Sequence, residues 1–172
     1  HIGSYLIRDL ALQFSGSEIV MIDNLMTQRF PSLFNLPTSA KYSFIEGDLT
    51  SMELNPIFKG VDTVIHLAAI TDAAGSVDNA ELLESNNFIG TEKVAIACLE
   101  NACNLITLSS TSVYGTQNSL VSEDCDESEL QPQSPYAITK LKEERLIDSL
   151  FKEHGLSAVS LRFGTIFGHS PG

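Results

Sequence analysis

Basic residues are scarce in this sequence. Lysine and arginine together number 10 against 22 aspartates and glutamates, a formal net charge of −12 at pH 7. DNA and RNA backbones are gripped mainly by Lys and Arg, so a nucleic-acid partner is not expected. An acidic chain can still hold an anionic nucleotide where helix N-termini and a few local cations face it. Long apolar runs are also missing. None approaches the roughly 20 residues that cross a bilayer, so no membrane span is expected, and no secretory leader is read at the start. Cysteine is sparse: Cys98, Cys103 and Cys125 are odd in number and fit no zinc spacing, which argues against a disulfide framework or a metal site. A reducing cytoplasm is the expected location. The acids around Cys125 would push its thiol up and speak against a redox role. Internal repeats and low-complexity tracts are absent. With 43% hydrophobic and 19% charged residues, the 172-residue chain reads as one globular domain over 1–172 with a core of its own.

What is present is a rhythm. Short apolar runs at Glu18–Asp23, Ser43–Glu46, Thr63–Leu67, Leu105–Ser109 and Ala158–Arg162 have the near-continuous hydrophobicity of buried strands. Between them lie helical patterns at about Ile2–Phe14, Leu54–Phe58, Leu82–Asn101 and Tyr136–His154. Strands alternating with helices predict an α/β fold, a doubly wound parallel sheet covered on both faces, with ligands at the carboxyl ends of the strands. One stretch interrupts the alternation. Residues 115–134 are polar and carry Glu123, Asp124, Asp126, Glu127 and Glu129, as a solvated loop or a functional flap would. The chain opens on His1-Ile2-Gly3-Ser4 inside a helix pattern and closes on Ser170-Pro171-Gly172 just past a strand. A doubly wound sheet read this way lacks its first strand, so the sequence is expected to be a piece of a longer polypeptide.

Candidate sites fall at strand ends. In dinucleotide-binding folds a glycine-rich turn opens the first helix and an acid follows about 20 residues later. Gly3 is the one glycine in position to belong to such a turn, and Asp23-Asn24 supplies the acid. A carboxylate there accepts both ribose hydroxyls of an adenosine and repels a 2′-phosphate, which favours NAD over NADP. The plainer roles are helix–strand packing for Gly3 and a turn for Asp23-Asn24. Asp48 and Leu49 follow the second run; Asp48 is placed to bond an adenine amino group or to cap a helix beginning near Ser51. Leu67-Ala68-Ala69 follows the third run with side chains small enough for a cofactor to lie against the backbone. His66, on an apolar strand, reads as a satisfied core histidine.

A third group carries reaction chemistry. Tyr136 and Lys140 are one helical turn apart and share a face, with Pro135 at a favoured first helical position. A tyrosine has a pKa of about 10, and a nearby ammonium favours its phenolate. Reaching neutrality asks about 4 kcal/mol of the surroundings, at roughly 1.4 kcal/mol per pKa unit. Ser110 ends the fourth run, where it can bond a substrate hydroxyl or else simply satisfy backbone groups.

Taken in order, these segments resemble the extended short-chain dehydrogenase/reductases of the NAD-dependent nucleotide-sugar epimerase/dehydratase type, such as UDP-glucose 4-epimerases. The blocks that carry the resemblance are the acid at Asp23, Gly47-Asp48, and His66-Leu67-Ala68-Ala69. Further on come Asn87-Phe88-Ile89-Gly90-Thr91, Ser109-Ser110-Thr111-Ser112-Val113-Tyr114-Gly115, Pro135-Tyr136-Ala137-Ile138-Thr139-Lys140, and Leu161 to Gly168. The resemblance spans nearly the whole chain. It implies a Rossmann-type sheet, with the C-terminal substrate domain beyond Gly172, bound NAD and a nucleotide-sugar substrate. It implies Ser110, Tyr136 and Lys140 as the catalytic group, Lys140 also holding the nicotinamide ribose and Phe163 passing beside the nicotinamide. It gives Asn87 a structural task, bridging helix and cofactor strands, and suggests a homodimer through helices near 82–101 and 136–154. Thr165 departs from the family's usual Asn, which bears on the substrate. Dehydratases of the family often carry Asp-Glu before Val-Tyr-Gly; here Thr111-Ser112 stands there, which favours an epimerase. A dehydratase, a reductase or dehydrogenase of the same family, and a non-catalytic cofactor sensor are the alternatives.

Overall fold

The computed structural model describes residues 2–71, 83–117 and 120–168. The expected helix start at Leu82 and the terminal residues 1 and 170–172 lie outside them, as does part of the acidic segment.

The first compact unit runs up to Asp48. Helix α1 (Ile2–Gln13) buries Ser4 and Ala11. Strand β1 (Glu18–Asp23) lies parallel to β2 (Lys41–Glu46), with Glu18 opposite Lys41 and Asp23 opposite Glu46. The connection between them is tied down by one residue. The Arg8 guanidinium donates to the carbonyls of Ser4 (2.6 Å), Ser32 (3.0 Å) and Phe34 (2.7 Å), satisfying backbone groups that a long crossover would otherwise leave to water.

The second unit runs from Leu49 to Ile166. It contains the short helix α2 (Asn55–Phe58), β3 (Thr63–His66), α3 (Ile89–Asn101), β4 (Asn104–Ser110), α4 (Pro135–His154) and β5 (Ala158–Phe163). A π-helical turn, Glu84–Phe88, runs directly into α3. Strands β3, β4 and β5 form a parallel sheet with β4 central. Helices α3 and α4 pack on each other and on β4. The core between them is Leu105, Val94, Ala95, Cys98, Val113, Leu141, Ile147 and Leu156. Each fully buried leucine there contributes about 1.5–3 kcal/mol.

Local chemistry explains where the helices stop. Ser134 accepts the Ala137 N–H at 3.1 Å and Pro135 takes the first helical position, so α4 begins there. It ends at Gly155, whose φ of +74° turns the chain back so that its N–H meets the Phe151 carbonyl (3.0 Å) and the Leu156 N–H meets that of Leu150 (3.3 Å). Helix α3 ends on Ala102, in the same left-handed conformation at φ +55°.

The fold is α/β and Rossmann-like, with every strand pairing parallel. The strands divide into a parallel pair, β1–β2, and a parallel triplet, β3–β4–β5.

Candidate active site

In the first unit, Gly3 lies in the opening turn of α1 and Asp23 is the exposed last residue of β1. Asp23 Oδ1 accepts the Leu25 N–H at 2.7 Å, and Asn24 Oδ1 accepts that of Met26 at 3.1 Å. The turn role therefore holds. A carboxylate has about four lone-pair sites, so it leaves Asp23 with capacity for further donors. Asp48 is exposed in the turn after β2. Its alternative role as a helix cap does not hold: α2 begins at Asn55, with Leu54 at its N-cap position.

In the second unit the carboxyl end of β3 is built around two buried polar residues. Asn87, 1% exposed, brackets one residue of the following loop: its Oδ1 accepts the Ile70 N–H at 2.8 Å and its Nδ2 donates to the Ile70 carbonyl at 2.9 Å. This two-point clamp fixes the backbone beside Leu67, Ala68 and Ala69, and it matches the structural task expected of Asn87. His66 is buried, with Nε2 3.0 Å from Thr91 Oγ1 on α3. Burial, and after it the Lys140 charge, lowers the His66 pKa from 6.5 to about 4, so the ring is neutral at pH 7. It is a satisfied core histidine, as expected.

At the end of β4, Ser110 caps the 3-10 turn Thr111–Tyr114. Its oxygen accepts the Ser112 N–H at 3.2 Å and the Ser112 hydroxyl at 2.9 Å. Both bonds use its lone pairs, so its own proton remains to be donated. Ser110 lies opposite Phe163 in the β4–β5 register. Helix α4, with Tyr136 in its first turn, packs against both β4 and this turn.

Tyr136 and Lys140 are brought together, the ammonium 5.9 Å from the ring centroid. The phenol does not titrate in the expected direction. Burial, and then the Glu143 carboxylate, push Tyr136 above its ordinary value. Burial is the larger cause, and the second is a partner that the Tyr-x-x-x-Lys spacing does not reveal. The Lys140 ammonium donates to Glu143 Oε2 at 2.9 Å, and both side chains are 6% exposed. The sequence signal for Glu143 is only its i,i+3 spacing from Lys140. A second unforeseen group stands behind the site. Arg162 forms a two-pronged pair with Glu144 (2.9 and 2.7 Å) and donates to the Tyr114 hydroxyl at 2.9 Å while stacking on its ring. It fastens β5, α4 and the turn after β4 to one another.

The second unit thus gathers a tyrosine–lysine pair, a serine hydroxyl and a clamped, small-residue loop at the carboxyl ends of parallel strands. Gly3, Asp23, Asn24 and Asp48 belong to the first unit.

Known proteins share this arrangement of elements. The chain is 32% identical over 174 residues to an uncharacterized UDP-glucose epimerase of Bacillus subtilis strain 168, covering 97% of this chain and 54% of that protein. It is similar to the UDP-N-acetylglucosamine 4-epimerase of Methanobrevibacter ruminantium M1, whose structure holds UDP-N-acetylmuramic acid. That match has a TM-score of 0.82 at 33% identity, over 94% of this chain and 51% of that one. The UDP-glucuronic acid 4-epimerase of Bacillus cereus in complex with NAD superposes with a TM-score of 0.84 at 30% identity, over 99% of this chain and 55% of that one. The chain spans about half the length of the relatives it matches. The model of the NAD dependent epimerase/dehydratase family matches residues 1–172, and the chain belongs to that family.

Proposed function

We propose that the protein carrying this chain is an NAD-dependent epimerase of nucleotide-activated sugars, UDP-linked as in the relatives named above, with Tyr136 as its base. The observation that carries the reading is the Tyr136–Lys140 pair at the start of α4, on a helix packed against the turn that Ser110 caps.

The residues suit the cofactor. Asn87 holds the loop after β3 at Ile70, and Ala68, exposed beside it, presents backbone with little side chain in the way. Asp23 offers an exposed carboxylate to the adenosine ribose and disfavours a 2′-phosphate. In the first unit Gly3, Asn24 and Asp48 are the further residues proposed to meet the cofactor; in the second, Leu49, Leu67 and Ala69, with Phe163 an apolar wall. When bound, NAD supplies a hydride acceptor that gives the hydride back. The chain's own residues manage the proton. Tyr136 takes it from the sugar hydroxyl whose carbon is oxidised and returns it afterwards. Ser110 donates a hydrogen bond to that oxygen and holds it in place. Lys140 holds the nicotinamide ribose and adds a positive charge that favours the phenolate.

The dehydratase alternative would need an acid before Val113. Thr111 and Ser112 stand there, and the Ser112 hydroxyl is spent on Ser110. A homodimer is proposed through α3 and α4. Beside α4, Glu84, Phe88, Lys142, Arg145, Leu146 and Ser149 line an open depression that a second copy would cover. Among the described residues no helix is long and apolar enough to cross a membrane. The free thiols Cys98 and Cys103 are buried, and burial pushes both up, Cys98 to about 12; a cytoplasmic location is proposed from the sparse, unpaired cysteines.

The test is to incubate the full-length protein with UDP-, GDP-, CDP- and dTDP-sugars and follow products by NMR. Interconversion of a UDP-sugar with its 4-epimer is expected, falling at least about 100-fold in Tyr136→Phe. No turnover of any sugar, or unchanged turnover in the variant, would sink the reading.

A further inference from the structure

Glu143 is the buried titratable group that the proposed reaction does not use. It is 4% exposed, and its Oε1 takes no hydrogen bond among the described residues. Burying a charged carboxylate is costly unless a partner compensates. Here the compensation comes from the lysine that the reaction needs. The Lys140 ammonium, 5% exposed, donates to Glu143 Oε2 at 2.9 Å.

The surroundings are otherwise nearly free of charge. Burial pushes the Glu143 carboxyl above its ordinary range, against the pull of the Lys140 ammonium and then of Thr91 on α3, whose hydroxyl sits 3.0 Å from His66 Nε2. From β3, His66 is neutral. On α4 itself, Glu144 is taken up by Arg162 and Lys142 reaches away to Glu84 of the π-helical turn at 2.7 Å. Tyr136 therefore faces one cation and one anion, bound to each other.

We propose that Glu143 is a positioning residue for the Tyr136–Lys140 pair: it draws the ammonium into an ion pair and cancels much of the positive charge that the tyrosine hydroxyl would otherwise meet. The inference rests on Tyr136 being the base. A lysine alone beside a phenol favours the phenolate; a lysine already paired with a carboxylate does so far less. In keeping with this, Glu143 is the charge that raises Tyr136 after burial itself. Glu143 thus adds to the burial that favours the protonated tyrosine, until further positive charge reaches the site or Lys140 turns to another partner.

The experiment follows the Tyr136 phenolate by ultraviolet difference titration of the full-length protein, with Tyr136→Phe as the blank. It is run on wild type, Glu143→Gln and Glu143→Asp, beside the pH dependence of kcat/KM with NAD bound. Removing the negative charge leaves Lys140 unopposed. Glu143→Gln is expected to move the Tyr136 ionisation, and the acidic limb of the kcat/KM profile, to lower pH by about one unit, a tenfold rise in phenolate on that limb. Glu143→Asp keeps the charge and is expected to stay near wild type. If Glu143→Gln does not fold, Glu143→Met, similar in volume and uncharged, carries the same expectation. A folded uncharged variant whose Tyr136 titrates as in wild type overturns the inference. The two readings fail separately. Turnover that is lost in Tyr136→Phe with no titration change in Glu143→Gln removes the role of Glu143 and leaves the enzyme. A titration change without turnover of any sugar removes the enzyme and leaves the charge pairing.

Discussion

His66 shows how a single side chain couples the interior to pH. Its pKa falls from 6.5 to about 4 because burial and the Lys140 charge both disfavour the imidazolium. An unfolded chain takes up a proton near 6.5 that the folded chain refuses until about 4. The stability His66 contributes is therefore fully present above pH 6.5 and is lost as pH falls through that window, by about 3 kcal/mol in all. Thermal unfolding from pH 7 to 4 should show this loss, and His66→Gln, which can still meet Thr91, should flatten the slope. A variant with the wild-type slope would move the origin of the effect to the carboxylates. At this scale much of the site is legible in the sequence. His66 as a core histidine follows from one polar residue on an apolar strand, and Asn87 as a bridge follows from its place in the Asn-x-x-Gly-Thr block. Glu143 is not legible. Lys-x-x-Glu on a helix ordinarily describes two solvated charges, and only the packing of α4 against α3 and β4 turns it into a buried pair.

Elements are positioned by a few backbone requirements. Gly115 closes the turn after β4 at φ +65°, and a Cβ there would lie 2.0 Å from the Gln131 carbonyl oxygen. Gly115→Ala meets both left-handed strain and a backbone clash, so it should cost about 2 kcal/mol or more. Differential scanning calorimetry should register a fall in Tm of several degrees. An unchanged Tm would mean that Gln131 yields freely. The same contact joins the two ends of the acidic segment, which Gln117 and Thr116 reinforce through the Glu129 carbonyl (2.8 Å) and the Gln133 side chain (3.0 Å). The strands and helices were readable because apolar runs and i,i+4 patterns are local properties. β4, read as Leu105–Ser109, is Asn104–Ser110, and the helix read from Tyr136 starts one residue earlier, at Pro135. The π-helical turn before α3 was not readable, since an i→i+5 turn has no residue signature apart from ordinary helix formers.

For the molecule as a whole, alternation announced parallel strands but not their division into a pair and a triplet, because partners are chosen by long-range packing. The division has a measurable result. β4 is hydrogen-bonded on both sides, whereas β1 and β2 each have one partner strand among the described residues, with Val20 and Phe44 part-exposed. Amide hydrogen exchange of the 172-residue chain should be slowest in β4 and faster throughout β1 and β2. Equal protection in all three would contradict that ranking. The pinch at Gly115 has a consequence for the protein's electrical identity. Its loop gathers Glu123, Asp124, Asp126, Glu127 and Glu129 between two anchored ends, as one charged block that the Glu127–Arg145 pair (2.6 Å) also ties to α4. Neutralising all five would bring the formal charge from −12 to −7. Electrophoretic mobility and isoelectric point would then be adjustable by substitution in that block, with Tyr136 and Lys140 untouched.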